Sequence, residues 1–320
     1  MAGQNAWRAL GIGLLGALCL HGGARAQDTV VVTSLQATYS LASALAEGTG
    51  VRVDNAPAQG SRMAGQERFL AQAALDPLFV EADAVVTVTR VWQEDPLFPA
   101  ARRRNIRVIE IDAAWPLDAE SAPVSLVRRS CAPPPWETAD GSRCANDLSP
   151  YVWLSISNGV RMTENIAADL VRLAPMDAER VESNLARLTG ELRSLKADFD
   201  NRFAAFGDAR VFALAEEFDY LLGEMGVFVD GAFTKEDVLW SENDLQAFES
   251  YLRDSGIAVV VHKWEPSESI RGAIARAGAK LVILDTGDPG IVMDDRLDAG
   301  GYTLVLRNNL EALASAFSGR

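Results

Sequence analysis

The sequence predicts an α/β protein of two lobes, each with a mostly parallel sheet flanked by helices, joined by one long rigid helix. Short apolar runs of β type alternate with helical patterns on both sides of the midpoint, the pattern of repeated βαβ units. Between the two sets, Val181, Leu185, Leu188, Leu192, Leu195, Phe199 and Phe203 recur at spacings of three and four. That is one apolar stripe along a single helix. The chain has 320 residues, 48% hydrophobic and 23% charged, enough for two packed domains and unlike a disordered, collagenous or coiled-coil chain.

Residues 1–26 read as a secretory signal peptide. Arg8 supplies the positive start, Leu10 to Leu20 the short apolar stretch, and Ala24-Arg25-Ala26 the small residues before a cut ahead of Gln27. The apolar stretch is shorter than the ~20 residues that span a bilayer. Next, VVVTS at 30–34 reads as a buried strand, and 35–47 as a helix ending at Gly48. Strands follow at 84–89 (AVVTVT) and 107–111 (RVIEI). The stretch 116–150 is rich in proline and reads as a long loop.

Pro175 and Asp177 supply start signals for the striped helix and Gly207 a stop. Some 30 residues at 1.5 Å each make a rod of roughly 45 Å, longer than one small lobe. Beyond it, strands are expected at 211–214, 257–261 and 280–284, with helices at 244–254 and 268–277. The expected division is a leader at 1–26, a first lobe at 27–176, the connecting helix at 177–206 and a second lobe at 207–320.

The formal net charge is −14. Such a balance argues against nucleic acid as a partner, since that needs a basic face to displace counterions. Losing the leader removes two arginines and no acid, so the mature chain is more acidic still. Cys131 and Cys144 then remain as an even pair. In an oxidising compartment they read as a disulfide, worth ~3 kcal/mol for a loop of about 14 residues; a metal-thiolate pair is the alternative. There is no C-x-x-C, G-x-S-x-G, H-E-x-x-H or P-loop in the mature chain, so a binding protein is expected rather than an enzyme.

Several candidate residues stand at strand ends. Asp285 closes the apolar strand at 280–284, where open α/β folds bind ligands, though a turn carboxylate is the plainer role. Glu216 and Glu217 follow VFAL and would present carboxylates nearby, or serve only the first turn of a helix. His262 follows another apolar strand. It is the one histidine left once His21 departs with the leader, so a zinc site of three imidazoles cannot be built from one mature chain. Oxygen donors suit Mn, Mg, Ca or ferric iron better than zinc. Lys263 and Glu265 beside His262 would allow a salt-bridged network. The run Arg102-Arg103-Arg104 reads as a solvated face.

Together, several segments resemble the zinc/manganese class of substrate-binding proteins of ABC transporters. VVTSLQATYSLASALAEG, EADAVVTV, SPYVWLS at 149–155, FALAEEFDYLLGEMGV at 212–227 and LDTGDPG at 284–290 match the family's motifs in order and spacing. The resemblance covers nearly the whole mature chain and implies two lobes about a rigid helix. It also implies a periplasmic monomer that carries a divalent metal ion (Mn, Fe or Zn) to a membrane permease. The family's ligands are three histidines and a carboxylate. Here the carboxylate falls on Asp285, the second histidine on Tyr151 and the third on Ala215, beside Glu216 and Glu217. The first histidine's loop has none, offering Met63 and Gln66 instead. The resemblance therefore implies an altered, carboxylate-rich site of Asp285, Glu216 or Glu217, Tyr151 and His262, unless the scaffold holds a metal chelate or small organic molecule, or is an accessory protein with a degenerate site.

Overall fold

The structure, a computed structural model, describes residues 29–118, 122–129, 134–137 and 148–318. The leader, Cys131 and Cys144 lie outside the described residues.

Two four-stranded parallel sheets share one topology. The first contains β1 (Thr29–Thr33), β2 (Val51–Asn55), β3 (Ala84–Thr87) and β4 (Ile109–Asp112) in the order β2-β1-β3-β4. The second contains β5 (Arg210–Ala213), β6 (Phe228–Ala232), β7 (Val259–His262) and β8 (Lys280–Ile283) in the order β6-β5-β7-β8. The central strands β3 and β7 are buried at every residue, which is why they read as continuous apolar runs. Strands β2 and β6 lie at sheet edges and carry VRVDN and FVDGA. Their mixed polarity hid them in the sequence.

Helix α1 (Gln36–Ala46) follows β1. Helices α2 (Gln66–Leu70), α3 (Asp76–Glu81) and α4 (Leu97–Arg104) cover the outer face of the first sheet. The three arginines form the last turn of α4, a place the helix dipole favours for cations. Helices α5 (Ile156–Leu173) and α6 (Ala178–Ala204) follow, and α6 is the expected rod, preceded by a tight turn at Pro175–Asp177. In the second half come α7 (Asp219–Glu224), α8 (Glu242–Ser255), α9 (Glu268–Arg276), a small hairpin of β9 (Val292–Met293) and β10 (Arg296–Leu297), and α10 (Gly301–Ser318). Among the described residues, no helix is long and apolar enough to cross a membrane.

The rod does not join the lobes alone. Its stripe shares one continuous core with α1, α5, α10 and the inner faces of both sheets, while separate cores lie outside each sheet. At the α5–α10 crossing, Gly159 lets the helices approach so closely that an added Cβ would stand 2.1 Å from the Tyr302 hydroxyl. That hydroxyl is buried and donates to the carbonyl of Trp153 at 2.8 Å. Helix α5 escaped the sequence reading because its buried face carries Asn158, Thr163 and Asn165. Each finds a partner the pattern cannot reveal: Asn158 pairs with the backbone of Ser125, Thr163 bonds to Gly159 O, and Asn165 donates to Ala113 O. Part of the proline-rich loop crosses over as well. Trp136 packs among Phe212, Phe233, Phe248 and Tyr251 on the outer face of the second sheet.

Candidate functional site

The loops that leave the carboxyl ends of the strands in both sheets face one another across a cleft, the place where open parallel sheets bind ligands. The segments at 62–64 and 90–94 come from the first lobe. Those at 216–217, 263–264 and 284–290 come from the second. Two adjoining cavities of about 560 and 640 Å³ share Ala64, Tyr151 and Glu217.

Asp285 lies on the wall of the first cavity with Tyr151 and Glu217. Its side chain accepts from the Gly287 amide at 2.8 Å, and Asn309 on α10 clamps its backbone with two bonds of 2.7 Å. Asp285 is therefore a turn carboxylate and a cleft residue at once. The residue remains exposed, with an oxygen to offer the cleft. Gly287, with φ of +72°, lets this turn fold tightly against Trp153, whose indole N–H donates to Thr286 O at 2.8 Å.

Glu216 and Glu217 occupy the turn between β5 and α7 rather than a helix. Glu216 pairs with Arg129 at 3.1 Å and lines the second cavity. Glu217 is only 7% exposed and lines both cavities. One of its oxygens accepts from the Lys263 ammonium, while Oε2 has no hydrogen-bond partner. Lys263 also lies 4.5 Å over the Trp264 ring. Glu265, by contrast, pairs with Arg271.

Tyr151 stands at the junction of the two cavities, edge-on to Trp153. Burial first, and then the charges of Glu217 and Asp288, push its phenol above the ordinary tyrosine range. It is thus a neutral hydroxyl at neutral pH rather than a phenolate donor. Asp288 accepts from the Met63 amide at 2.9 Å across the cleft, and burial raises its carboxyl to about 6. The Met63 side chain packs against the main core and lines the second cavity.

Two expected residues stand apart from this cleft. His262 is 2% exposed and lines neither cavity. Its Nε2 is 3.6 Å from Asp237, beyond hydrogen-bond reach, and burial lowers its pKa, so it is a neutral core residue packed on Trp264. Gln66 is fully buried and donates to Ser34 O at 3.0 Å. It also lies outside the cleft lining. Among the described residues, no group of three or more His, Cys, Asp or Glu could hold a metal ion. The sequence reading missed Arg62, Asp288, Trp264 and Asn309. The first three stand in loops that follow strands, a positional signal open to sequence. Asn309 sits on α10, which no periodicity announced.

The family model for ZnuA, the periplasmic component A of a zinc-uptake complex, matches residues 31–316. The zinc-binding protein AdcA of Streptococcus pyogenes is 26% identical over 173 residues, 52% of this chain and 32% of AdcA. The high-affinity zinc uptake system protein ZnuA of Bacillus subtilis is 24% identical over 168 residues, 52% of each chain. The matches thus span only a third to a half of these curated relatives. A mutant of FpvC from Pseudomonas aeruginosa superposes with a TM-score of 0.70 at 21% identity, over 91% of this chain and all of that one. At such identity the likeness speaks for the fold.

Proposed function

The chain belongs to the ZnuA family of periplasmic zinc-uptake components, and from that premise we propose that it carries a divalent metal in the cleft between its lobes and hands it to the permease of an ABC transporter. The observation that carries this reading is the meeting of Asp285, Glu217 and Tyr151 on one cavity wall. Two carboxylates and a neutral hydroxyl are oxygen donors, suited to Mn or Fe more than to zinc. Cys131 and Cys144 form a disulfide in this reading, and the leader is cut ahead of Gln27 to release a periplasmic monomer.

Titration calorimetry of the mature protein with Mn, Fe and Zn, each supplied free and chelated, tests the proposal. Binding of a metal in either form is expected, weakened at least tenfold by Asp285→Ala. Failure of every metal in both forms refutes it. A second reading, a metal-free organic ligand, draws on the size of the cleft, since 560 Å³ falls in the range of small-molecule pockets. Native mass spectrometry of protein from its own periplasm distinguishes the two by the mass retained.

A further inference from the structure

We propose that the metal enters this cleft as an anionic chelate with a small polycarboxylate, and that Lys263 is the residue that sets this preference over the bare ion. The inference rests on the metal-carrier reading and specifies the chemical form of the cargo.

Three independent observations meet here. The first is charge. A cage for a bare divalent ion presents several anionic oxygens and no competing cation. Here the wall of the first cavity carries Arg62 and Lys263 beside its acids, and the second carries Arg129 and Arg90. In a chain with 44 acids and 30 bases, these four cations stand against five acids on the two cavity walls. The second is occupancy. The Lys263 ammonium is bonded to one oxygen of Glu217, and Arg129 holds Glu216. A bare ion would have to displace a tethered cation from each of these two glutamates, in a cleft where no group of three His, Cys, Asp or Glu that could hold a metal is assembled among the described residues. The third is an unsatisfied group. Glu217 is more than nine-tenths buried and lines both cavities, yet its Oε2 has no partner. A buried carboxylate oxygen left in this way is costly and calls for a donor or a cation from the cleft.

An anionic chelate answers all three. Its carboxylates meet the Lys263 ammonium and the Arg62 fork, which stands exposed on the cavity wall. Its hydroxyl or metal centre meets Glu217 Oε2. Asp285 and Tyr151 then complete a coordination shell that the chelator has largely filled, so three protein donors suffice where a bare ion would need more. The cavities are also wide enough for a chelate, whereas a naked ion would fill little of either.

The test compares metal-stripped mature protein against MnCl2 and ZnCl2, against the Mn(II) and Zn(II) complexes of citrate and nitrilotriacetate, and against each chelator alone. Calorimetry measures affinity and native mass spectrometry the retained mass. At least one chelate is expected to bind ten or more times tighter than either free ion and than its own chelator, with metal and chelator retained together. Lys263→Met should weaken the chelate at least tenfold and strengthen free Mn or Zn, whereas Lys263→Arg should keep the wild-type order. Free ions binding tighter than every chelate, with no chelator retained, would overturn this inference and leave the metal-carrier reading intact. Binding of neither form would remove both. The wild-type comparison decides the matter even if Lys263→Met fails to fold.

Discussion

The floor of the cleft is held in place by a side chain from the opposite lobe, and removing that side chain has a calculable effect. Gln36 opens α1 and is 1% exposed. Its Oε1 accepts from the Ile291 amide at 2.9 Å, and its Nε2 donates to Asp298 O and to Ser40 Oγ, each at 2.8 Å. Ile291 and Asp298 flank the β9–β10 hairpin, just past the turn that carries Asp285 and Asp288. The fit around the amide is close, because a Cβ on Gly290 or Gly301 would stand 2.5 or 2.6 Å from Gln36 Oε1. Gln36→Ala leaves the Ile291 amide without its acceptor. Asp298 O keeps the Gly301 amide and Ser40 Oγ keeps the Tyr302 amide. One orphaned donor costs about 1–3 kcal/mol and two lost bonds about 1 kcal/mol each. Allowing for water entering the space left, the variant should lose about 3 kcal/mol, a large part of the 5–15 kcal/mol typical of a domain. Urea unfolding followed by tryptophan fluorescence measures it as a lower midpoint at unchanged slope. Gln36→Met, which keeps bulk but no hydrogen bonds, should lose a similar amount. A loss below about 0.5 kcal/mol in both variants would refute the view that this amide ties the lobes together.

Two further outcomes follow from the same packing. Asp95 is 3% exposed and accepts from the Val88 and Leu97 amides; burial dominates and lifts its carboxyl from 3.8 to about 6, with Glu110 and Asp112 adding to the rise. Because the folded state holds this proton more tightly, the group's contribution to stability falls as pH rises from about 4 to about 6 and stays low above that, by about 3 kcal/mol. Asp95→Asn loses one acceptor at every pH but should remove this slope, seen in denaturation midpoints at pH 4 and 7; parallel pH curves for the two proteins would contradict it. Gly159→Ala drives a Cβ to 2.1 Å from the Tyr302 hydroxyl and should cost 3 kcal/mol or more, on the order of other overpacked core sites. Adding Tyr302→Phe deletes the clashing atom, so the double variant should be more stable than the sum of the singles predicts, by about 1 kcal/mol or more in a double-mutant cycle.

Several parts of the architecture were legible because they rest on local pattern. The rod at 178–204 announced itself through Val181 to Phe203, since an amphipathic helix must repeat its apolar residues at its own period. Strands β1, β3, β5 and β7 showed as apolar runs, for a parallel strand covered on both faces has no polar side. Edge strands β2 and β6 and helix α5 stayed hidden. Their polar residues stand on a strand at the sheet edge in the first case and are satisfied by distant carbonyls in the second. In the cleft, Asp285, Glu217 and Tyr151 were named in advance because each lies at a motif or a strand end. His262 was named for its imidazole and its place at the end of an apolar strand, and it is a buried neutral ring outside the cleft lining.

From its own residues, the sequence determined that no three-imidazole site can be built from one chain, since only two histidines are present. It also determined the α/β alternation and the length of the connecting rod, both properties of short stretches of chain. Only the tertiary structure decided which carboxylates are spoken for. Lys263 meets Glu217 across 46 residues and Arg129 meets Glu216 across 87. The charge that a ligand encounters is a sum over groups brought together by folding, and no local stretch of sequence contains that sum.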